Sequence, residues 1–350
     1  MADCERPGVA SKDGEAAERY RYVEREAGRW YLGAMPVEPA EFKALDIQVF
    51  SFARPHMRGF HLAWASFFCA FVCWFAFAPL LVFVKASLDL TLSQVLTTNV
   101  LSVSGTIACR FLVGPLCDEV GPKRCQVALL AWIACFTLLG AAVDSYGALC
   151  AVRFVVGFGG ATFVVTQYWT TALFASEIVG TANATTAGWG NLGGGVAQVL
   201  MVAVFGFLTK TCGLGHDAGW RLSFVAPALI SAAVAAAIPG CSDDTPRGDL
   251  KRLVRDGVVD KKTASTSARA GMLDPNSWVL GLQYACSFGV ELHVNNTMAL
   301  YLASTASFGV GPLDAGVLAS LFGWMNLVVE RPAPGTKKNS HHGPSHAPPL

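Results

Sequence analysis

A series of long apolar stretches limits, more than any other feature, how this chain can fold. Each is long enough to cross roughly 30 Å of hydrocarbon as a helix that rises 1.5 Å per residue. Only 15% of the residues are charged, against about 25% in soluble domains, so lipid must replace water around much of the fold. We therefore predict an all-α integral membrane protein with eight spans, near residues 60–84, 95–115, 125–143, 147–172, 180–208, 221–240, 276–302 and 313–329.

The overall charge and the cysteines exclude several other classes of protein. A net charge of +1 argues against a nucleic-acid partner, which requires a concentrated basic surface. The eleven cysteines are scattered through apolar stretches without a CxxC pair, so they predict neither a metal site nor a cofactor. Since no nucleophile motif and no His/Glu metal pair lies in a span, we expect a protein that is not an enzyme.

Lysine and arginine collect in alternate loops, which predicts how the chain crosses the membrane. Basic residues precede the first span, follow the second and fill the long segment after the sixth, and cytoplasmic loops hold such an excess. We expect a plasma-membrane protein with a cytoplasmic N-terminus. Its predicted parts are a cytoplasmic N-terminal segment (1–58), a six-helix half (59–241), a charged cytoplasmic linker (242–274), two helices of a second half (275–329) and a disordered tail (330–350).

Six spans, a charged linker and further spans form the layout of a transporter built from two six-helix halves. An unrelated polytopic protein with a loop at that point is the alternative. The predicted spans end about four helices short of the repeat that this layout implies, and the segment after Val328 changes to Glu330-Arg331-Pro332 and a Pro/His-rich tail. We therefore expect a shortened form of such a transporter.

A glycine-containing motif follows the second span. Gly114, Asp118, Gly121 and Arg124 resemble the G-x-x-x-D-(R/K)-x-G-x-(R/K) loop of the major facilitator superfamily, with Glu119 at a position that is usually basic. The glycines would allow a tight turn and close helix approach, and Asp118 would pair near a neighbouring helix end. An ordinary Gly/Pro turn with flanking charges is the alternative.

Glycines crowd the middle of the fifth span around Asn191. Small residues in a membrane helix predict a close crossing with another helix, and a buried amide there requires a hydrogen-bond partner. The run resembles the nitrate signature of the nitrate/nitrite porter family, which includes the high-affinity nitrate transporters of plants, algae and fungi. Its glycines are Gly188, Gly190, Gly193, Gly194 and Gly195. Further similar stretches at 51–58, 153–158, 167–169 and 289–292 extend the resemblance over about residues 45–329.

Arg110 is the residue that we predict to bind substrate. It lies inside the second span, where a charge costs about 2.5–3.5 kcal/mol or more and usually faces a cavity. A guanidinium offers a planar fork of donors that matches the oxygens of a small flat anion. The alternative is an arginine that extends to the membrane surface, but the family resemblance also implies a substrate-binding arginine at this point.

The resemblance implies further residues of an anion site. Tyr284 and Phe288 lie on one face of the seventh span, and Phe163 and Asn191 match other members of that site, although an aromatic residue taken alone more often serves packing. The relatives carry a second arginine in the eighth helix, and Arg331 is either that arginine shifted by one residue or part of an unrelated tail. Glu291 reads either as a group at the water boundary, which we favour, or as a proton-coupling carboxyl.

The function that we predict is transport of nitrate or nitrite by alternating access, without a cofactor. Proton symport and exchange of nitrate for nitrite are both open at this point, and the prediction allows for an accessory membrane subunit. The alternatives are a fragment or regulatory partner that does not itself transport, or a major-facilitator carrier of another small anion.

Overall fold

The structure is a computed structural model that describes residues 21–26, 29–259, 269, 271–305 and 308–326. Within these ranges six helices are long and apolar enough to cross a membrane. We label them α1 (His56–Ser87), α2 (Leu92–Val120), α3 (Pro122–Ala142), α4 (Tyr146–Leu173), α5 (Val179–Thr211) and α6 (His216–Cys241). A short linker helix, Leu250–Arg255, follows. Two further helices are α7 (Pro275–Ser304) and α8 (Pro312–Trp324).

Several of these helices change their winding part of the way along. In α1, an α-helix over His56–Phe75 continues as a 3₁₀ turn at Ala78–Leu80 and a final α-helix over Leu81–Ser87. In α4, α-helices over Tyr146–Val156 and Thr162–Leu173 flank a 3₁₀ segment, Gly157–Ala161. The other composite helices are α3 (Pro122–Leu139, then 3₁₀ Gly140–Ala142), α5 (Val179–Gly206, then π-helical Phe207–Thr211) and α6 (His216–Ser223, then Val225–Cys241).

Local sequence sets where several helices begin. Thr91 and Gln94 form a reciprocal capping box, in which the Gln94 N–H donates to the Thr91 hydroxyl and the Thr91 N–H donates to the Gln94 side chain. Ser145 accepts from the Ala148 N–H at the start of α4. Asp274 accepts from the Asn276 N–H at the start of α7. Each cap satisfies an N–H that would otherwise have no partner within its helix.

The N-terminal segment packs at one end of the helix bundle. Three antiparallel strands, β1 (Val23–Glu26), β2 (Arg29–Leu32) and β3 (Met35–Val37), form a sheet in the order β1-β2-β3. The Tyr22 hydroxyl donates to the Pro246 carbonyl at 3.4 Å, which joins this segment to the chain after α6. We call this side of the bundle, where α1 begins and α2 ends, the linker end, and the opposite side the distal end.

The core of the bundle forms around α1. Its buried aromatic side chains include Phe67, Phe71, Trp74 and Phe75, which contact one another edge to face or tilted. α5 packs along α1, and α7 and α8 join the bundle through α5 and the 3₁₀ turn of α1. We treat α1–α6 and the pair α7 and α8 as two groups of helices. Because α1 contacts helices of both groups, it provides the packing surface that fixes where the other spans lie.

The helices confirm the predicted all-α architecture. Each of the eight predicted spans overlaps one of α1–α8, and the ends that lie within the described residues differ by no more than about five residues. Of these helices, α1–α6 are the ones long and apolar enough to cross a membrane. The three-stranded sheet within 1–58 was not predicted. The tail at 330–350, including Arg331, and residues 260–268 of the predicted linker lie outside the described residues.

Candidate functional site

Arg110 extends from α2 towards α4, at a half-buried position inside the bundle. Its Nε and one terminal guanidinium nitrogen both donate to the carbonyl oxygen of Gly160, at 3.3 Å and 3.2 Å. That carbonyl lies in the 3₁₀ segment of α4. The guanidinium is therefore held against the backbone of α4 inside the bundle.

Three aromatic rings surround the Arg110 guanidinium. Its central carbon lies 5.4 Å from the ring centroid of Phe163 on α4, and 5.7 Å and 5.3 Å from those of Tyr284 and Phe288 on α7. The Tyr284 and Phe288 rings stack with centroids 4.9 Å apart, and Phe163 stacks against Tyr284 at 6.0 Å. Ring faces attract a cation within about 6 Å, so the three rings help to stabilise the charge inside the bundle.

Close packing of α2 on α4 sets the height of Arg110. A Cβ atom at Gly105 would overlap the carbonyl of Phe154, and one at Gly157 would overlap the carbonyl of Ser102. The Thr106 hydroxyl donates to the Gly157 carbonyl at 2.6 Å, one turn before Arg110. These contacts hold the two backbones in register, which brings the Gly160 carbonyl within reach of the arginine.

Four of the five predicted substrate residues lie together in the structure. Arg110, Phe163, Tyr284 and Phe288 form one cluster, which we call the arginine–aromatic site. Phe288 is buried, whereas Tyr284 is 39% exposed on the side towards the linker end. The cluster joins α2 and α4 of the first six helices to α7, so it lies at the junction between the two groups of helices.

Asn191, the fifth predicted substrate residue, is buried on α5 at 6% exposure. The glycines around it pack on two different helices. A Cβ at Gly190 would overlap the Phe67 ring, and one at Gly193 would overlap the backbone of Phe68, both on α1. A Cβ at Gly195 would lie 3.0 Å from the backbone of Gly323 on α8. The close crossing predicted from this run is confirmed, and Gly188 and Gly194 are buried in the same helix.

The motif after the second span is mostly helical. α2 continues to Val120, and the turn is confined to Gly121, whose φ of +95° favours glycine. Gly114 lies within α2, where a Cβ would meet nothing within 4 Å, so the predicted turn and close approach are wrong for that glycine. Asp118 accepts a hydrogen bond from the Tyr168 hydroxyl on α4 at 3.1 Å.

The chain after α6 folds back on this turn. The buried Asp244 carboxylate accepts from the Lys123 N–H at 2.9 Å and from the Leu250 N–H at 3.2 Å. Burial raises the pKa of Asp244 above the usual value for aspartate, although those two N–H groups oppose the shift. Arg124 forms an ion pair with Asp249 at 2.7 Å. The turn and the linker therefore form one connected structure at the linker end.

Glu291 lies one turn beyond Phe288 along α7. It is partly buried, and the side-chain nitrogen of Asn326, just after the end of α8, donates to its carboxylate at 3.3 Å. This contact gives the carboxyl group a partner within the protein. The hypotheses of a boundary position and of a coupling role both stay untested.

Sequence reasoning missed a second arginine of this region. Arg153 on α4 has no exposed surface, and its guanidinium donates to the side chains of Asn99 on α2 and Asn296 on α7. Its charge within an apolar span was the same signal that identified Arg110.

The comparisons with known proteins agree with this architecture. The family model for the Major Facilitator Superfamily matches residues 63–336. The chain belongs to the Major Facilitator Superfamily, a family of transporters, and is an integral membrane protein. A solved bacterial homologue of the human lysosomal transporter Spinster has the same fold, with a TM-score of 0.57 and 17% identity over 77% of this chain and 60% of that one.

Proteins with similar sequences are named as nitrate transporters, which confirms the resemblance to the nitrate/nitrite porter family. The chain is 37% identical over 302 residues to high affinity nitrate transporter 2.5 of Arabidopsis thaliana, which covers 86% of this chain. It is 37% identical over 290 residues to nitrate transporter 2.1 of Chlamydomonas reinhardtii, which covers 82% of this chain. The chain spans 59% of the first relative and 52% of the second.

Proposed function

We propose that the chain takes part in membrane transport of nitrate or nitrite by alternating access, with Arg110 as the group that binds the anion. The arginine–aromatic site carries this proposal, because it holds a permanent positive charge at the junction of the two helix groups. The names of the relatives support the choice of anion. Exposure of the site to each side of the membrane in turn would move the anion across.

The chemistry of the site suits a small flat anion. A guanidinium has five N–H donors in one plane, and two N–H donations from Arg110 go to the Gly160 carbonyl. Its other edge can meet the trigonal oxygens of nitrate or nitrite in a bidentate pair. Phe163 and Phe288 enclose the anion and exclude water, while the Tyr284 hydroxyl and the Asn191 amide donate hydrogen bonds to it.

Uptake against a negative interior requires coupling. Moving one negative charge inward costs about 2.3 kcal/mol per 100 mV, so import into a cell across the plasma membrane is driven by symport with more than one proton. The N-terminal segment and the linker then face the cytoplasm. The excess of basic residues at the linker end supports this orientation.

Nitrate binding tests the role of Arg110 without requiring a transport cycle. The full chain is placed in lipid nanodiscs, and its thermal stabilisation is measured as a function of nitrate concentration. A lost charge-assisted hydrogen bond costs about 1.5–3 kcal/mol, so Arg110→Lys should weaken the apparent affinity roughly 10- to 100-fold. Arg252→Lys on the exposed linker helix is the matched control and should leave the affinity unchanged. Unchanged affinity in Arg110→Lys would overturn the proposal.

A further inference from the structure

Arg153 is a fully buried cation that the anion site does not use. It lies on α4 seven residues before Gly160, which is about 10 Å towards the distal end of the bundle at 1.5 Å per residue. Its central carbon lies 5.2 Å from the Phe77 ring centroid. Within the described parts of the chain, no aspartate or glutamate forms an ion pair with it.

The oxygen atoms around Arg153 come from three helices and are all uncharged. One terminal nitrogen donates to Asn99 Oδ1 at 2.5 Å and to Asn296 Oδ1 at 3.0 Å, and the other donates to the Trp74 carbonyl at 3.5 Å. Asn296 lies on α7, whereas Asn99 and Trp74 lie on α2 and α1. The guanidinium therefore joins the first six helices to α7.

A second hydrogen bond crosses the same junction beside Arg153. The Gln198 side chain on α5 donates to the Asn295 carbonyl at 2.9 Å, so Asn295 and Asn296 are both held by the first six helices. A turn before Gln198, the backbones of Gly195 and Gly323 touch where α5 crosses α8. These contacts close the distal part of the junction.

The half of α7 nearer the linker end is exposed. The residues of α7 that are buried all lie between Phe288 and Leu300, whereas residues 275–287 are exposed. The arginine–aromatic site lies where the exposed and buried halves meet, with Tyr284 on the exposed side. Within the described residues, the junction is thus closely packed towards the distal end and loosely packed towards the linker end.

We propose that Arg153 and Asn296 form a latch that holds the distal side of the transport pathway shut. This inference rests on the proposed alternating-access function, in which that side must open once in each cycle. A charge-to-amide hydrogen bond suits such a role because it is weaker than a guanidinium–carboxylate pair. The latch can therefore break without separating two opposite charges inside the membrane.

Two substitutions of the hydrogen-bond acceptor Asn296 should change the opening of the distal side in opposite directions. Asn296→Asp converts the latch into an ion pair and should keep the distal side closed, whereas Asn296→Ala removes the acceptor and should let it open more often. Ala299, which is buried one turn further along α7, is replaced by cysteine as the reporter. Its rate of alkylation by a maleimide is measured in nanodiscs without nitrate, and peptide mass spectrometry separates it from the native cysteines.

We expect the alkylation rate at position 299 to fall at least threefold with Asn296→Asp and to rise at least threefold with Asn296→Ala. Native Cys241, exposed at the linker end of α6, should react equally fast in all variants and serves as the internal standard for the maleimide. The unfolding temperature of each variant shows that it is folded. Asn276→Asp makes the same change at the linker end of α7 and should have no effect. Adding Arg153→Gln to Asn296→Asp should abolish the slowing.

Faster alkylation at 299 with Asn296→Asp would overturn the latch, as would equal rates in all three backgrounds. Because no nitrate is present, these outcomes are independent of whether Arg110 binds the anion. If the unmodified chain does not bind nitrate but the variants show the expected alkylation rates, the proposed substrate would be contradicted and the latch would still be supported.

Discussion

Arg110 and Arg153 both place a permanent charge inside the helix bundle, but their surroundings differ. Arg110 is half-buried, touches one carbonyl and is bordered by three rings, one of them on the exposed face of α7. Arg153 is enclosed and bound by two amide side chains. A charge that a ligand must reach requires an accessible edge, so Arg110 suits anion binding and Arg153 suits a structural contact that opens and closes.

The phenol of Tyr284 should strengthen anion binding beyond the packing of its ring. Tyr284→Phe keeps the stack with Phe288 but removes the hydroxyl donor, and a hydrogen bond is worth about 0.5–1.5 kcal/mol. We expect roughly 2- to 12-fold weaker nitrate binding, measured by titration of the full chain in nanodiscs. Tyr301→Phe at the exposed distal end of α7 is the control, and an equal loss there would argue against a contact with the anion.

Asp244 should make the stability of the chain depend on pH. Because burial raises its pKa in the folded state, the folded chain binds a proton more readily than the unfolded chain. Its stabilising contribution is complete below the ordinary aspartate pKa of about 3.9 and is lost as the pH rises through the raised value. Asp244→Asn should therefore flatten the fall of the unfolding temperature across that range.

Asp244→Asn also disturbs the hydrogen bonds to Lys123 and Leu250, which changes the unfolding temperature at every pH. The quantity to compare is therefore the slope of the unfolding temperature against pH. Thermal unfolding in detergent at a series of pH values gives this slope. Asp256→Asn changes an exposed carboxylate and serves as the comparison. A slope that is the same in Asp244→Asn and the unmodified chain would contradict the assignment.

At the scale of helices, the glycines of α5 let it pack directly on α1. Gly190→Ala would force a methyl group into the Phe67 ring, and such overpacking costs about 1–3 kcal/mol. We expect a lower unfolding temperature in detergent. Gly180→Ala, at the start of the same helix, meets no atom within 4 Å and should be neutral or stabilising because alanine favours helix. If Gly190→Ala and Gly180→Ala changed the unfolding temperature equally, the contact with α1 would not explain why position 190 is a glycine.

The spans could be predicted from the sequence because hydrophobic length is a local property. The apolar stretch near 147–172, for example, corresponds to α4 at Tyr146–Leu173. The 3₁₀ segment inside α4 could not be predicted. It accompanies a close contact between Gly157 and Ser102 on α2, and these residues are far apart in the sequence. The strands at 23–37 were missed because they are short and carry charges, and their core, Tyr22, Val37 and Phe42, depends on tertiary packing.

For the molecule as a whole, one part of the junction between the two helix groups could be predicted from the sequence and the other part could not. Arg110, Phe163, Tyr284 and Phe288 were predicted from a resemblance and from the cost of a charge in a span, and the structure places them together. The partners of Arg153 could not be found in this way, because Asn99 and Asn296 lie 54 and 143 residues from it along the chain. Such pairings follow only from the packing of α2, α4 and α7.

The contact between Arg110 and the anion is the central claim, and solid-state NMR measures it directly. The chain is prepared in lipid with ¹³C-labelled arginine and equilibrated with ¹⁵N-nitrate, and the distance from guanidinium carbon to nitrate nitrogen is read by dipolar recoupling. A bidentate pair places these atoms about 4 Å apart, and the signal should vanish in Arg110→Lys. A contact that persists in Arg110→Lys, or no contact at saturating nitrate, would contradict this account.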